Sequence, residues 1–342
     1  MKTCFSLVLL ALSAMARIIG QRAPQIVVAA LVCALVPAFA AAQNFPAKPL
    51  RLIIRAPPGG TDDLLGRIIA QKMGDTLGQQ VIVDYRTGAG GLVAWEYVAN
   101  AAPDGYTLLL AASGLGAIKA MRPQVTIDPW RDFTWVSLIT NYQLVLVVHP
   151  ALPAKTLKEL IALARAQPGQ LSYGSSGVGA TPHLAAEYFK SMAKVDIIHV
   201  PYKGAGPMVL DLIPGRLAMG VLVVASAIPH IRSGKLRALG VTGAARVPQL
   251  SEVPTIAEGG LSGYEFTGFY AILVPAKTPR EIVARFAETI ATSVSAPDYR
   301  ERIVNVGMEP AFNSPEQMLQ LAKQDGAKID RIIRTANIKA TD

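Results

Sequence analysis

The chain has 342 residues, 51% of them hydrophobic and 17% charged, with a formal net charge of +9. Its two cysteines, Cys4 and Cys33, both fall in the first 42 residues, so thiol nucleophiles, disulfides and cysteine metal sites are excluded from the rest. Lysines and arginines are scattered along predicted helix faces without interleaved aromatics, which argues against a nucleic-acid partner, and four dispersed histidines do not make a zinc site.

Residues 1–42 contain no acidic residue, carry Lys2, Arg17 and Arg22, and lead through an apolar run at 26–39 into Ala40-Ala41-Ala42. A basic start, an apolar middle and a small-residue end mark a secretory signal peptide. Cleavage after Ala40 or after Ala42 fits the pattern, and the mature chain is taken to begin at Gln43. Met15 is an alternative start, and an uncleaved membrane anchor is the alternative reading. Removing this segment takes away three basic residues and lowers the net charge from +9 to +6.

Beyond it, strand and helix patterns alternate. The predicted strands lie at 50–54, 81–85, 106–111, 144–148, 171–173, 197–200, 219–224, 238–242 and 270–274. Helical segments separate most of them, which predicts α/β units with mostly parallel sheets. Roughly 300 residues exceed what one core usually serves, so two domains are expected. Segments 135–148 and 264–274 are apolar or aromatic and continuous, as strands shared by two lobes are, with a ligand in the cleft between them.

Helix starts are legible as capping boxes at Thr156/Glu159, Thr255/Glu258, Thr278/Glu281 and Ser314/Gln317. After the first loop, Leu64, Leu65, Ile68, Ile69 and Met73 share one helical face, opposite Arg67, Gln71 and Lys72. Pro103-Asp104-Gly105 reads as a turn, with Asp104 as its former.

Two loops carry the chemistry. Ala56-Pro57-Pro58-Gly59-Gly60-Thr61-Asp62-Asp63 joins an apolar strand to an amphipathic helix, and Tyr173-Gly174-Ser175-Ser176-Gly177-Val178-Gly179-Ala180-Thr181-Pro182-His183 repeats the design. A helix start offers free N–H groups to an anion, and two such loops can grip one small anionic ligand. Neither carries the lysine of a phosphate-binding P-loop, and no cluster of carboxylates or histidines accompanies them, which favours binding over chemistry. Asp63 reads as a first-turn helix acid that holds the loop. Gly177-x-Gly179 lacks the third glycine of a dinucleotide fingerprint, Pro182 standing there. Gly174-Ser175-Ser176-Gly177 lacks the glycine spacing of a nucleophile elbow. Ser176 with His183 is the best pair for an enzyme. His149 and His230 each adjoin a proline and read as structural, and His199 lies in a strand. Lys203 pairs either with a ligand carboxylate or with a surface acid.

Six motifs in order resemble the solute receptors of tripartite tricarboxylate transporters, also called Bug-type receptors. They are Pro57-Pro58-Gly59-Gly60-x-x-Asp63, Arg86-x-Gly88-Ala89-Gly90-Gly91, Ala102-Pro103-Asp104-Gly105-Tyr106-Thr107, Ser175-Ser176-Gly177-x-Gly179-x-x-x-His183-Leu184, Val200-Pro201-Tyr202-Lys203-Gly204 and Val253-Pro254-Thr255. The resemblance implies a two-lobed periplasmic-binding-protein fold, type II-like, with residues 43–145 plus 268–342 in one lobe and 146–267 in the other. It also implies a receptor, not an enzyme, that captures a small carboxylate and presents it to the membrane subunits of a transporter, with no cofactor or metal. Carried over by position, ligand contacts come from Gly59, Gly60, Thr61 and Asp62, with Asp63 in support. The second lobe adds Ser175, Ser176, Gly177, Gly179, Ala180, Thr181 and His183, with Tyr202 and Lys203 on the neighbouring loop. Ser113 stands at the family's serine-rich rim, and Phe269 replaces a common tryptophan near the second crossing.

The family holds a carboxylate with backbone N–H groups, hydroxyls and water rather than an arginine clamp. This chain departs from the pattern at Leu92-Val93-Ala94-Trp95 and at Val221-Leu222-Val223-Val224, where polar residues are expected. Those departures point to a ligand less polar than citrate. The alternatives are a secreted hydrolase acting on a small carboxylate or ester, and a receptor feeding a membrane sensor. A monomer is expected, for want of an oligomerisation signal.

Overall fold

The computed structural model describes residues 45–338, and the predicted signal peptide lies outside them. Among the described residues the strands are β1 (Leu50–Ile54), β2 (Val81–Tyr85), β3 (Thr107–Ala112), β4 (Phe133–Val148), β5 (Ser172–Ser175), β6 (Ile198–Pro201), β7 (Met219–Val223), β8 (Arg237–Val241), β9 (Thr267–Pro275) and β10 (Met308–Pro310). The α-helices are α1 (Thr61–Leu77), α2 (Leu92–Ala99), α3 (Ile118–Met121), α4 (Leu157–Ala166), α5 (Thr181–Ala193), α6 (Ala205–Leu212), α7 (Val224–Arg232), α8 (Arg280–Ser295), α9 (Pro297–Asn305) and α10 (Pro315–Thr335).

The strands join in the order β2-β1-β3-β9-β4-β7-β5-β6, with β8 and β10 also paired to β4. Parallel pairing is confined to the flanks, where β1 pairs with β2 and β3, and β5 with β6 and β7. The centre is antiparallel, because every pairing there involves β4 or β9.

β4 is sixteen residues long. Its stretch from Phe133 to Gln143 pairs with β9, and Tyr142, Asn141 and Thr140 also pair with β10. From Leu144 onward it pairs with β7 and, over Val145 to Val148, with β8. Two hydrophobic cores follow the same division. One gathers Ile53, Trp95, Leu109, Trp135 and Phe269, and the other Val145, Val147, Met208, Leu222 and Ile228. A strand covered on both faces carries a continuous apolar run, which is why Leu144 to Val148 are all apolar and wholly buried.

Helix α1 buries Leu65, Ile68, Ile69 and Met73, while Arg67 and Gln71 stay exposed. The Asp104 side chain accepts from Tyr106 N–H at 3.0 Å, the bond of an Asx turn. The boxes at Thr156/Glu159 and Ser314/Gln317 cap α4 and α10 with both reciprocal bonds. Thr255 and Glu258 make the same bonds, but around a turn that no helix continues. At Thr278 the hydroxyl donates instead to Pro275 O at 2.7 Å, and Pro279 becomes the N-cap of α8.

Trp135 is 3% exposed, lies between Trp130 and Phe269 at centroid distances of 5.8 and 6.4 Å, and donates Nε1–H to Pro129 O. Trp135→Ala is expected to cost about 3–5 kcal/mol, the range for truncating a buried aromatic. Urea denaturation monitored by circular dichroism checks it.

Candidate functional site

β1 is apolar through Ile54, and Arg55 opens the loop that follows. The loop ends at Gly60, the N-cap of α1, so the helix's first N–H groups face outward without intrahelical acceptors. Gly59 N–H donates to Asp63 Oδ2 at 2.9 Å, and Tyr85 OH and Arg67 Nε reach Asp63 Oδ1 at 2.5 and 2.6 Å. Burial alone would raise the Asp63 pKa, but the hydrogen bonds from Tyr85, Gly59 and Arg67 hold it below the usual carboxylate value. Asp63 therefore braces the loop.

A cavity of about 390 Å³ lies where this loop meets residues 176–178, the loop 201–205 and the glycine-rich segment 88–91. Of the residues predicted to touch a ligand, Gly60, Thr61, Asp62, Ser176, Gly177, Tyr202 and Lys203 line it. The other eight do not. Gly59 is held by Asp63. Ser113 and Thr181 join one another, Thr181 Oγ1 donating to Ser113 O at 2.9 Å, while Tyr142 OH donates to Thr181 Oγ1 at 3.1 Å. Ser175 is wholly buried, with Oγ 2.7 Å from His199 Nε2. Ala180 N–H closes a turn on Gly177 O, and Gly179 N–H donates to His183 Nδ1 at 3.2 Å. His183 is 2% exposed and its ring packs on His199 at 4.3 Å. Phe269 sits in the core against Trp135. Gly59, Ser175, Gly179, Ala180 and Thr181 are thus engaged by neighbouring groups, whereas the Ser113 hydroxyl is buried without a hydrogen-bond partner among the described residues.

The structure also brings to the cavity residues that the motifs did not mark, Arg55, Arg122, Tyr142, Met208 and Tyr270, and the motif segment Gly88 to Gly91, to which the sequence assigns no ligand contact. Arg55 is the deep cation, its side chain 13% exposed and its Nε 3.2 Å from Asp62 Oδ2. Burial alone would lower its pKa, but the charge of Asp62, with Tyr270 and Tyr142 beyond it, raises the value above that of a free arginine. Tyr270 OH donates to Asp62 Oδ1 at 2.6 Å. Burial pushes the Tyr142 phenol up to about 12 and that of Tyr270 well above its ordinary value, so both remain neutral donors. Thr61 Oγ1 is buried without a hydrogen-bond partner. Met208 and Val221 to Val223 give the second side an apolar wall.

The two sides touch at Gly90, where an added Cβ would stand 2.6 Å from Val178 O and φ is +68°. Only glycine lets the backbones approach so closely there. Among the described residues, no group of three or more His, Cys, Asp or Glu could hold a metal ion. His183 Nδ1 accepts from Gly179 N–H, and among the described residues no hydrogen bond joins Ser176 to His183.

Residues 65–338 match the family model described as tripartite tricarboxylate transporter family receptor. The chain is 39% identical over 290 residues to a UPF0065 protein in the tcbD-tcbE intergenic region of Pseudomonas sp. (strain P51), covering 84% of this chain and 86% of that one. It matches the structure of R. palustris Rpa4515 with adipate at TM-score 0.84 and 35% identity, covering 86% of this chain and 99% of that one. MatC (Rpa3494) from Rhodopseudomonas palustris with bound malate matches at TM-score 0.80 and 28% identity, covering 84% and 100%.

The buried histidines under the second loop make its stability depend on pH. Burial, and then His199, lower the His183 pKa to about 3, and burial lowers His199 to about 4. Both rings stay neutral in the fold, while an unfolded imidazole takes a proton near 6.5. Their contribution is therefore complete above pH 6.5 and is lost as pH falls toward 4. Melting temperature measured from pH 7.5 to 4.5 should fall, and His183→Gln, which still offers Gly179 an acceptor, should fall less.

Proposed function

Because the chain belongs to the tripartite tricarboxylate transporter receptor family, we propose that it is a periplasmic solute-binding receptor. It holds a small carboxylate in the cavity between its two sides and presents it to a membrane transporter. Residues 43–145 with 268–342 form one lobe and 146–267 the other. The hand-over of β4 between Gln143 and Leu144 supports that boundary. Binding by closure of two lobes is the hinge motion common to periplasmic receptors. Export to the periplasm is the role assigned to residues 1–42.

The observation that carries this reading is the donor set gathered in one cavity. The start of α1, the unpartnered Thr61 hydroxyl, the Ser176 hydroxyl and the Arg55 guanidinium all converge there. Donors of this kind suit an anion, since hydrogen bonds to charged groups contribute roughly 1.5–3 kcal/mol each. The match to a family model described as a transporter receptor supports binding over turnover. Two of the solved structures it matches are of Rpa4515 with adipate and of MatC with bound malate. Met208, Val221, Leu222 and Val223 favour a ligand with an apolar body over one with polar groups throughout.

Thermal denaturation of residues 43–342 with adipate, malate, hexanoate and citrate tests it. A ligand at a hundred times its Kd stabilises by about 2.7 kcal/mol. Adipate or hexanoate should shift the midpoint by several degrees and citrate by less; a larger shift with citrate would overturn the apolar-body assignment, and no shift with any acid would overturn the carboxylate reading.

A further inference from the structure

We propose that Arg55 is the residue that grips the ligand's carboxylate, with Asp62 as the positioning residue that holds its guanidinium in place. This rests on the receptor reading above, departs from the grip by backbone N–H groups, hydroxyls and water that the family resemblance implies, and names the group that gives this cavity its preference for a negative charge.

The local sequence sets the geometry. Leu52, Ile53 and Ile54 are wholly buried, so the backbone direction of β1 is fixed up to the residue before Arg55. The side chain of Arg55 passes over Gly91, where an added Cβ would stand 3.0 Å from Arg55 Cδ. Glycine at 91 leaves room for the stem. The guanidinium then lies beside the first turn of α1, which carries Thr61 and Asp62.

The hydrogen bonds leave one edge of the guanidinium free. Asp62 takes Nε, at 3.2 Å, and its other oxygen is filled by Tyr270 OH at 2.6 Å. Among the described residues, neither terminal nitrogen of Arg55 has a protein acceptor. A planar guanidinium binds a carboxylate through two parallel N–H donors, and the pair of terminal nitrogens provides them. Thr61 Oγ1, 5% exposed with its residue and unpartnered, lines the same cavity and can donate to the same carboxylate.

The other cations of the cavity are placed differently. Lys203 is exposed, and Arg122 already donates Nη1–H to Ala89 O at 2.9 Å. Arg55 is the one deep in the cavity. A buried cation with no counterion is costly, and Asp62 offsets that cost while the cavity is empty. Asp62 is thereby occupied on both oxygens and serves the ligand through Arg55.

The test is titration calorimetry of residues 43–342 with adipate and with its diamide, which has the same shape and no charge. The unsubstituted chain should prefer adipate. Arg55→Gln/Asp62→Asn removes both charges together, which avoids stranding a buried carboxylate. It should melt near the parent, lose at least about 100-fold in adipate affinity, as loss of two charge-assisted bonds implies, and bind the two compounds alike. Asp62→Asn keeps the Arg55 charge but loosens its placement, so it should weaken adipate binding less than the double variant does and still favour adipate over the diamide. Adipate binding by the double variant within threefold of the parent would overturn the assignment while leaving the receptor reading in place. Unchanged adipate affinity in Asp62→Asn would overturn the positioning role of Asp62. Absence of carboxylate binding by the unsubstituted chain would remove the receptor reading and this assignment together.

Discussion

One strand has to satisfy two hydrophobic cores at once, and the placement of every cavity loop depends on it. β4 pairs with β9 and β10 before Gln143 and with β7 and β8 after it. Its first half contributes Phe133, Trp135 and Leu138 to one core, and its second half Val145 and Val147 to the other. Tyr142, just before the hand-over, reaches the cavity, and β9 brings Tyr270 against it at a ring distance of 5.0 Å. The loop after β1 and the loop after β5 belong to opposite flanks of the sheet. They meet because both flanks are built outward from the same strand.

Around that seam the main energetic difficulty is a buried cation. A buried cation without a counterion is costly, and Asp62 supplies one to Arg55 from the first turn of α1. An acid in a first turn also interacts favourably with the positive end of the helix, so one side chain answers two requirements. Tyr270 completes the arrangement by filling the remaining Asp62 oxygen. The phenol is a good choice because burial keeps it protonated, and it adds a donor without adding a charge.

Much of this was legible in the sequence, and the gaps have physical causes. Strands β1 and β2 stand at the predicted residues, and seven others overlap their predicted ranges, since apolar periodicity is local. The candidate strand at 144–148 covered only the second half of β4, while segment 135–148, read as continuous like a strand shared by two lobes, covered nearly all of it, including the polar Ser137, Thr140 and Asn141. Those hydroxyls are satisfied from far away, Ser137 by Asn313 O and Thr140 by Glu309 O. β10, three residues with a proline, gives too short a signal to read. The loops of the site were visible through their glycines and helix starts. Arg55 was not, because its meaning depends on Tyr270, 208 residues beyond Asp62. A lone charge ending an apolar strand was the available signal.

Several positions of the second loop carried over by resemblance have their polar atoms engaged beneath it. Ser175 is engaged by His199, Gly179 by His183, and Thr181 by Ser113 and Tyr142. Each bond fixes the second loop from beneath, and what remains toward the cavity is Ser176 with the Gly177 backbone. The histidines do this as neutral rings, so the second loop is braced without placing charge near the ligand. The first loop has the opposite character, with a formal ion pair and a free hydroxyl at a helix start. Charge is therefore read on the first side, while the second side offers a hydroxyl and the apolar wall of Met208 and Val221 to Val223. A solute whose charged end and apolar body are separated matches that division better than one with charges spread over its whole surface.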